Sequence, residues 1–254
     1  MSFDPIKLLY IGNSSTGKTG SLVSLVEAGY IIGMIDFDNG VKVLRYFAQH
    51  RCPDKVKNIR ALPFRDEYGL DQMNRLKVKG QPRAFANAVK ATQEWDDKTK
   101  PAEWGENHIF VVDSLSTMGK AAHAWAESIN PSAKEPRTWF HGAQQAIENY
   151  ISMLTSPLFK THVIVISHVD YVEDASGMQK GFASSIGKAL GPTLPKYFNN
   201  LILAESSGSG KNTKRVIKTL PTGVIDLKNE APFMIDESLP LDSGLATIFS
   251  KLKG

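Results

Sequence analysis

Gly12, Gly17, Lys18 and Thr19 stand at the spacing G-x-x-x-x-G-K-[ST] inside YIGNSSTGKTGSL, residues 10–22. A loop with this spacing turns main-chain N–H groups toward phosphate oxygens, its lysine reaches the β- and γ-phosphates, and its threonine hydroxyl meets Mg²⁺. The expected binding set is therefore Gly12, Asn13, Ser14, Ser15, Thr16, Gly17, Lys18, Thr19 and Gly20, with Lys18 also stabilising charge in the reaction. A plain Gly/Ser-rich surface turn is the competing reading. It would need four specified positions, a preceding strand and a following helix to agree by accident.

Triphosphate chemistry also needs a second metal-holding acid and a carboxylate for the attacking water. Asp113 closes the apolar run HIFVVD, residues 108–113, where an aspartate holds Mg²⁺ through water; with Thr19 it forms the expected metal pair. An aspartate in that position also suits a helix N-cap. The residue after it is Ser114, so the water-polarising carboxylate must come from elsewhere. Asp36 and Asp38 end the apolar stretch YIIGMIDFDNG, residues 30–40, and adjacent parallel strands deliver their carboxyl ends to one crevice. Strand alternation puts both on one side, one for the water and one for the Asn-Gly turn. Asp38 is assigned to the water, although Asp-Asn-Gly is also a good turn without any catalysis.

These side chains need strands to end on and helices to start from. Residues 6–11 (IKLLYI) have strand length, and Leu22, Val23, Leu25 and Val26 recur at helical spacing up to Gly29. A helix is expected over 41–50, a strand over 56–62, a polar loop over 66–81 and an amphipathic helix over 83–95. Helical periodicity returns over 138–154, and THVIVIS, residues 161–167, reads as a buried strand. Strands this uniformly apolar are covered on both faces, which predicts an α/β fold with a mainly parallel sheet flanked by helices. Residues 170–195 carry four glycines and little periodicity; strand-like runs at 200–205, 215–220 and 223–227 read as C-terminal β-hairpins appended to the sheet. No repeat or long linker divides the chain, so a single domain over 1–254 is expected, with a core at about 6–225 and a C-terminal extension over 226–254.

Composition narrows the classes. The chain has 254 residues, 42% hydrophobic and 22% charged, as ordinary globular proteins have. Its net charge of +4 favours an anionic partner only weakly. A lone cysteine, Cys52, excludes an internal disulfide and a cysteine-cluster metal site. With no apolar run near the length of a membrane span and a strand starting close to Met1, neither a membrane partner nor a signal peptide is expected, and the location expected is cytoplasmic.

Four pieces in order, GNSSTGKT, MIDFDNG, FVVDSLSTMGK and VIVISHVD, resemble the RecA-type recombinase core, and the closest likeness is to the short RecA-like phage ATPases of the Sak type. The resemblance covers roughly residues 6–225; the phosphate loop alone is shared by many ATPases, and the joint order is what discriminates. It implies ATP hydrolysis with Mg²⁺, single-stranded DNA as partner, and action in single-strand annealing or homologous recombination in a host cytoplasm. It also implies a homo-oligomer, ring or filament, and a companion single-strand-binding protein. In that family a glutamate usually polarises the water, and Asp38 stands in its place, one methylene shorter. His168 matches the position that senses the γ-phosphate and leads into a DNA-binding loop.

That loop, VDYVEDASGMQKGFASSIGKAL, residues 169–190, holds Tyr171, Phe182, Lys180 and Lys188. Cations follow phosphates and flat rings stack on bases, so Lys180, Phe182 and Lys188 are the expected DNA contacts, with Glu173 and Asp174 opposing them in charge. The resemblance further implies a basic residue that enters the neighbouring subunit's site from TKRVIKT, residues 213–219. Arg215 and Lys218 are the candidates, on opposite faces of the strand, Lys214 sharing the face of Lys218. Two alternatives stay open: a helicase-like or clock-type ATPase on the same core, and a phosphate-loop kinase for a small metabolite.

Overall fold

The structure, a computed structural model, describes residues 3–133, 135–173 and 177–253. From the amino end, β1 (Lys7–Gly12) runs into the phosphate loop and the short helices α1 (Lys18–Ser21) and α2 (Val23–Glu27), followed by β2 (Ile31–Asp36), α3 (Val41–Arg51) and β3 (Ile59–Pro63). A small hairpin, β4 (Tyr68–Leu70) with β5 (Leu76–Val78), precedes α4 (Ala84–Gln93). Then come β6 (Gly105–Asp113), α5 (Leu115–Ile129), α6 (Pro136–Thr155) and β7 (Thr161–Ser167). A second hairpin, β8 (Val169–Glu173) with β9 (Gln179–Ala183), leads to β10 (Asn200–Ser207), β11 (Lys214–Lys218), β12 (Ser238–Pro240) and α7 (Leu241–Lys253).

One eight-stranded sheet, in the order β12-β11-β10-β1-β7-β6-β2-β3, organises the molecule. Its strands from β10 to β3 pair in parallel, and β11 and β12 add antiparallel at the far edge. This is the α/β architecture, a mainly parallel sheet flanked by helices, that the sequence predicts. Alternation along each strand feeds two cores: Leu9 and Ile11 join the cluster under α4, α5 and α6, whereas Leu8 and Tyr10 join the one under α2, α3 and α7. Each fully buried Leu, Ile or Val contributes about 1.5–3 kcal/mol against exposure, so the two clusters carry the fold and hold the strand ends in register.

Three segments differ from expectation. Residues 66–81 are a hairpin: Tyr68, Leu70, Leu76 and Val78 share one face, and the Asp71 carboxylate closes the turn by accepting from the amides of Met73 at 2.8 Å and Arg75 at 3.0 Å. The stretch after His168 is likewise an ordered hairpin over its described residues, paired from Val169↔Ala183 to Glu173↔Gln179. Residues 223–227 form no strand; Ile225 and Leu227 are buried in the core, and a bridge joins Leu201 to Lys228. The C-terminal strands add to the sheet as expected, β11 and β12 pairing antiparallel at its edge, and α7 buries Leu241, Leu245, Ile248 and Phe249. Among the described residues, no helix is long and apolar enough to cross a membrane.

Candidate nucleotide-binding site

β1 delivers the loop. Gly12 ends the strand where a Cβ would stand 2.5 Å from the Ala204 carbonyl, and Gly17 takes a left-handed φ of 92° to open α1. Thr16 ties the loop to itself by donating to the Asn13 carbonyl at 2.9 Å, leaving Asn13, Ser14 and Ser15 exposed. Lys18 is buried and donates from Nζ to the carbonyls of Gly12 at 2.6 Å and Asn13 at 2.9 Å, which aligns the ammonium along the loop. Burial lowers its pKa to about 8, opposed by the negative charges of Asp113 and Asp38.

The pairing of β2 with β6 places Asp36 directly beside Asp113. Their side chains then do different work. Buried Asp36 holds the following turn, accepting from the amides of Asp38 at 3.1 Å, Gly40 at 3.0 Å and Val41 at 3.1 Å. That leaves Asp38 half-buried, with a carboxylate that makes no hydrogen bond among the described residues. Gly40 was not expected in the site, yet a Cβ there would collide with the Asp113 carboxylate and lie 2.8 Å from Thr19 Cγ2. Close packing of this turn on Thr19 and Asp113 requires a residue without a side chain.

Thr19 and Asp113 meet: the threonine hydroxyl donates to Asp113 Oδ2 at 2.7 Å. Burial pushes the Asp113 carboxyl up to about 7; the Thr19 bond lowers it, and Asp38 and Asp36 raise it further. A hydroxyl and a carboxylate side by side, with no nitrogen or sulfur donor, suit a hard cation such as Mg²⁺ that keeps its remaining ligands as phosphate oxygens and water. Among the described residues there is no cluster of three or more His, Cys, Asp or Glu side chains able to hold a metal alone. Ser114 caps α5, accepting from the Thr117 amide at 3.4 Å, so the capping role weighed for Asp113 falls to its neighbour.

Lys18, Thr19, Asp38, Asp113 and His168 line one cavity of ≈ 190 Å³ at the carboxyl ends of β1, β2, β6 and β7. His168 follows β7 directly, and burial, then the charge of Lys18, lowers its pKa. Its backbone is fixed from two sides, its amide donating to Ser116 Oγ at 3.0 Å and its carbonyl accepting from the Ser184 amide at 2.8 Å. Ser167 Oγ also donates to the Ser184 carbonyl at 2.6 Å. The serines 116, 167 and 184 thus join the end of β7 to α5 and to the base of the β8–β9 hairpin. Sequence reasoning missed them, although polar residues ending two buried apolar runs were visible.

The outlying candidates divide. Phe182, Lys188 and Tyr171 line a separate cavity of ≈ 340 Å³ beside the hairpin. Lys180 does not join them; it pairs with Asp226 at 3.2 Å, which offsets its charge. Asp174 lies outside the described residues. Arg215 is exposed beside the phosphate loop of its own chain, its Cδ 3.5 Å from where a Gly17 Cβ would be. Lys218 sits on the other face of β11, paired in register with Leu203 and Ser238.

Among solved structures the chain is similar to the RadB recombinase, at 16% identity and TM-score 0.46 over 86% of this chain and 82% of that one. It is also similar to the flagellar accessory protein FlaH from Methanocaldococcus jannaschii, at 12% and 0.42 over 92% and 83%. A KaiC-like protein from Pyrococcus horikoshii OT3 aligns at 13% and 0.40 over 84% and 78%. No curated protein matches the chain. A family model described as AAA domain matches residues 4–230, a span that includes the phosphate loop, both acidic strand ends, His168 and Arg215. On that match the chain belongs to the AAA domain family and is a nucleotide-binding P-loop ATPase.

Proposed function

We propose that the protein hydrolyses ATP with Mg²⁺ and couples that cycle to single-stranded DNA, in single-strand annealing or homologous recombination of the phage type. Loop amides and Lys18 hold the phosphates, and Thr19 with Asp113 holds the metal. Mg²⁺, when bound, neutralises charge developing on the phosphate oxygens. Asp38, whose carboxylate is uncommitted, orients the water. Arg215 or Lys218 of a neighbouring copy, in a ring or filament, completes the charge balance.

The observation that carries the reading is the position of His168. It lines the cavity that holds Lys18 and Asp38, and its carbonyl accepts from the Ser184 amide at the base of the β8–β9 hairpin at 2.8 Å. A change in what His168 touches is therefore passed to the segment bearing Tyr171, Phe182 and Lys188, whose rings and cation suit unpaired bases and phosphates. The test is the ATPase rate with and without single-stranded DNA, for the wild type and Lys18→Ala. The expected result is stimulation by DNA in the wild type and loss of turnover in the variant. A rate indifferent to DNA would remove the coupling, and full turnover in Lys18→Ala would remove the site.

A further inference from the structure

Asp38 and His168 are shared walls. They line the cavity of Lys18 and Thr19, and with Ser14 of the phosphate loop they also line a larger cavity of ≈ 540 Å³, walled by Arg65, Lys120, Phe64 and Tyr68. This volume lies within the usual range for a small-molecule site, about 300–1,000 Å³. Arg65 and Lys120 are exposed and make no hydrogen bond or ion pair among the described residues. The wall's other acid, Asp66, is already committed, its carboxylate accepting from the amides of Arg83 at 2.7 Å and Ala84 at 3.0 Å at the start of α4. The rings differ in freedom: Phe64 leans on Phe37, centroids 6.1 Å apart, while Tyr68 on the β4–β5 hairpin is 64% exposed.

Two uncommitted cations beside two aromatic rings specify a ligand that is both anionic and flat. A purely apolar ligand would leave the cations unused, and a bare inorganic anion would leave the rings uncovered and most of the volume unfilled. We infer that this cavity is a second binding site, for a nucleotide unit, with the phosphate on Arg65 and Lys120 and the base against Tyr68 and Phe64. Its ligand touches Asp38 and His168, which also wall the triphosphate cavity. That consequence rests on the ATP reading above; the site itself does not. The unit has two sources, a free mononucleotide or one residue of a single strand.

The test measures three affinities for the wild type, Tyr68→Ala and Arg65→Ala/Lys120→Ala: fluorescent ADP, thymidine monophosphate with ADP saturating, and a short fluorescein-labelled oligothymidylate. Circular dichroism checks the fold of each variant. Removing a stacking ring lowers affinity about 5- to 150-fold. The expected result is a loss of that size for thymidine monophosphate or the oligomer in both variants, with ADP affinity retained. Loss for the oligomer alone assigns a strand as the source, and loss for the mononucleotide alone assigns a free nucleotide. Unchanged affinity for both, or a loss confined to ADP, overturns the inference. Failure of wild-type protein to bind ADP would instead sink the ATP reading and leave the oligomer comparison to decide this site.

Discussion

At the scale of single residues, burial sets the state of the titratable groups at the phosphate loop, lowering Lys18 and raising Asp113. Asp113 shows this most clearly, its carboxyl raised from 3.8 to about 7 chiefly by burial. The folded chain keeps this proton at a pH where the unfolded chain has lost it. The resulting stabilisation is fully present below about pH 4 and is lost as pH rises through about 7. Asp113→Asn should therefore raise the melting temperature more at about pH 8 than at about pH 5, while abolishing Mg²⁺-dependent nucleotide binding. Equal shifts at both pH values would show that the buried charge is not the cause. For the same reason, the affinity for Mg·ATP in the wild type should fall as pH drops from about 8 to about 6, measured by fluorescence titration, because a metal ligand must be ionised. Gly40→Ala tests the packing of the turn. Its methyl would strike Asp113 and Thr19, and the forced shift should cost about 1–3 kcal/mol in denaturant melts.

At the scale of elements, the two hairpins divide the labour around His168. If β8–β9 contacts single-stranded DNA as proposed, Phe182→Ala/Lys188→Ala should weaken oligonucleotide binding markedly and Lys180→Ala only slightly, since Lys180 is paired with Asp226. Fluorescence anisotropy at rising salt measures both; an equal loss from Lys180→Ala would contradict the division. The strands that carry chemistry were legible beforehand, because IKLLYI and THVIVIS are apolar on both faces and their ends carry the phosphate loop and His168. Both hairpins were not, for a physical reason. Their strands are three and five residues long, their alternation is diluted by glycine and charge, and a two-stranded ribbon has no second buried face to impose a pattern. The pairing of Lys180 with Asp226 is a contact across 46 residues, beyond any local pattern. Helix α7 was legible and overlooked, as Leu241, Leu245, Ile248 and Phe249 recur at helical spacing.

At the scale of the molecule, α7 closes one face of the sheet and reaches the site, Leu241 Cδ2 standing 2.6 Å from the position a Gly17 Cβ would occupy. Leu245 is fully buried there, so Leu245→Ala should destabilise the protein by about 2–5 kcal/mol, and melts should show the whole fold losing stability in one transition. A separate early transition of the C-terminal segment would contradict its integration in the sheet. Everything proposed for metal, strand and neighbour presupposes that the loop after β1 binds a triphosphate. Isothermal titration of Mg·ATP into the wild type and Lys18→Ala, with circular dichroism confirming both folds, tests this most directly. The account predicts saturable binding at one phosphate-loop site in the wild type and its loss in the variant. Heat-silent wild-type protein that also fails to retain ATP in equilibrium dialysis, or a variant that binds as tightly, would contradict it.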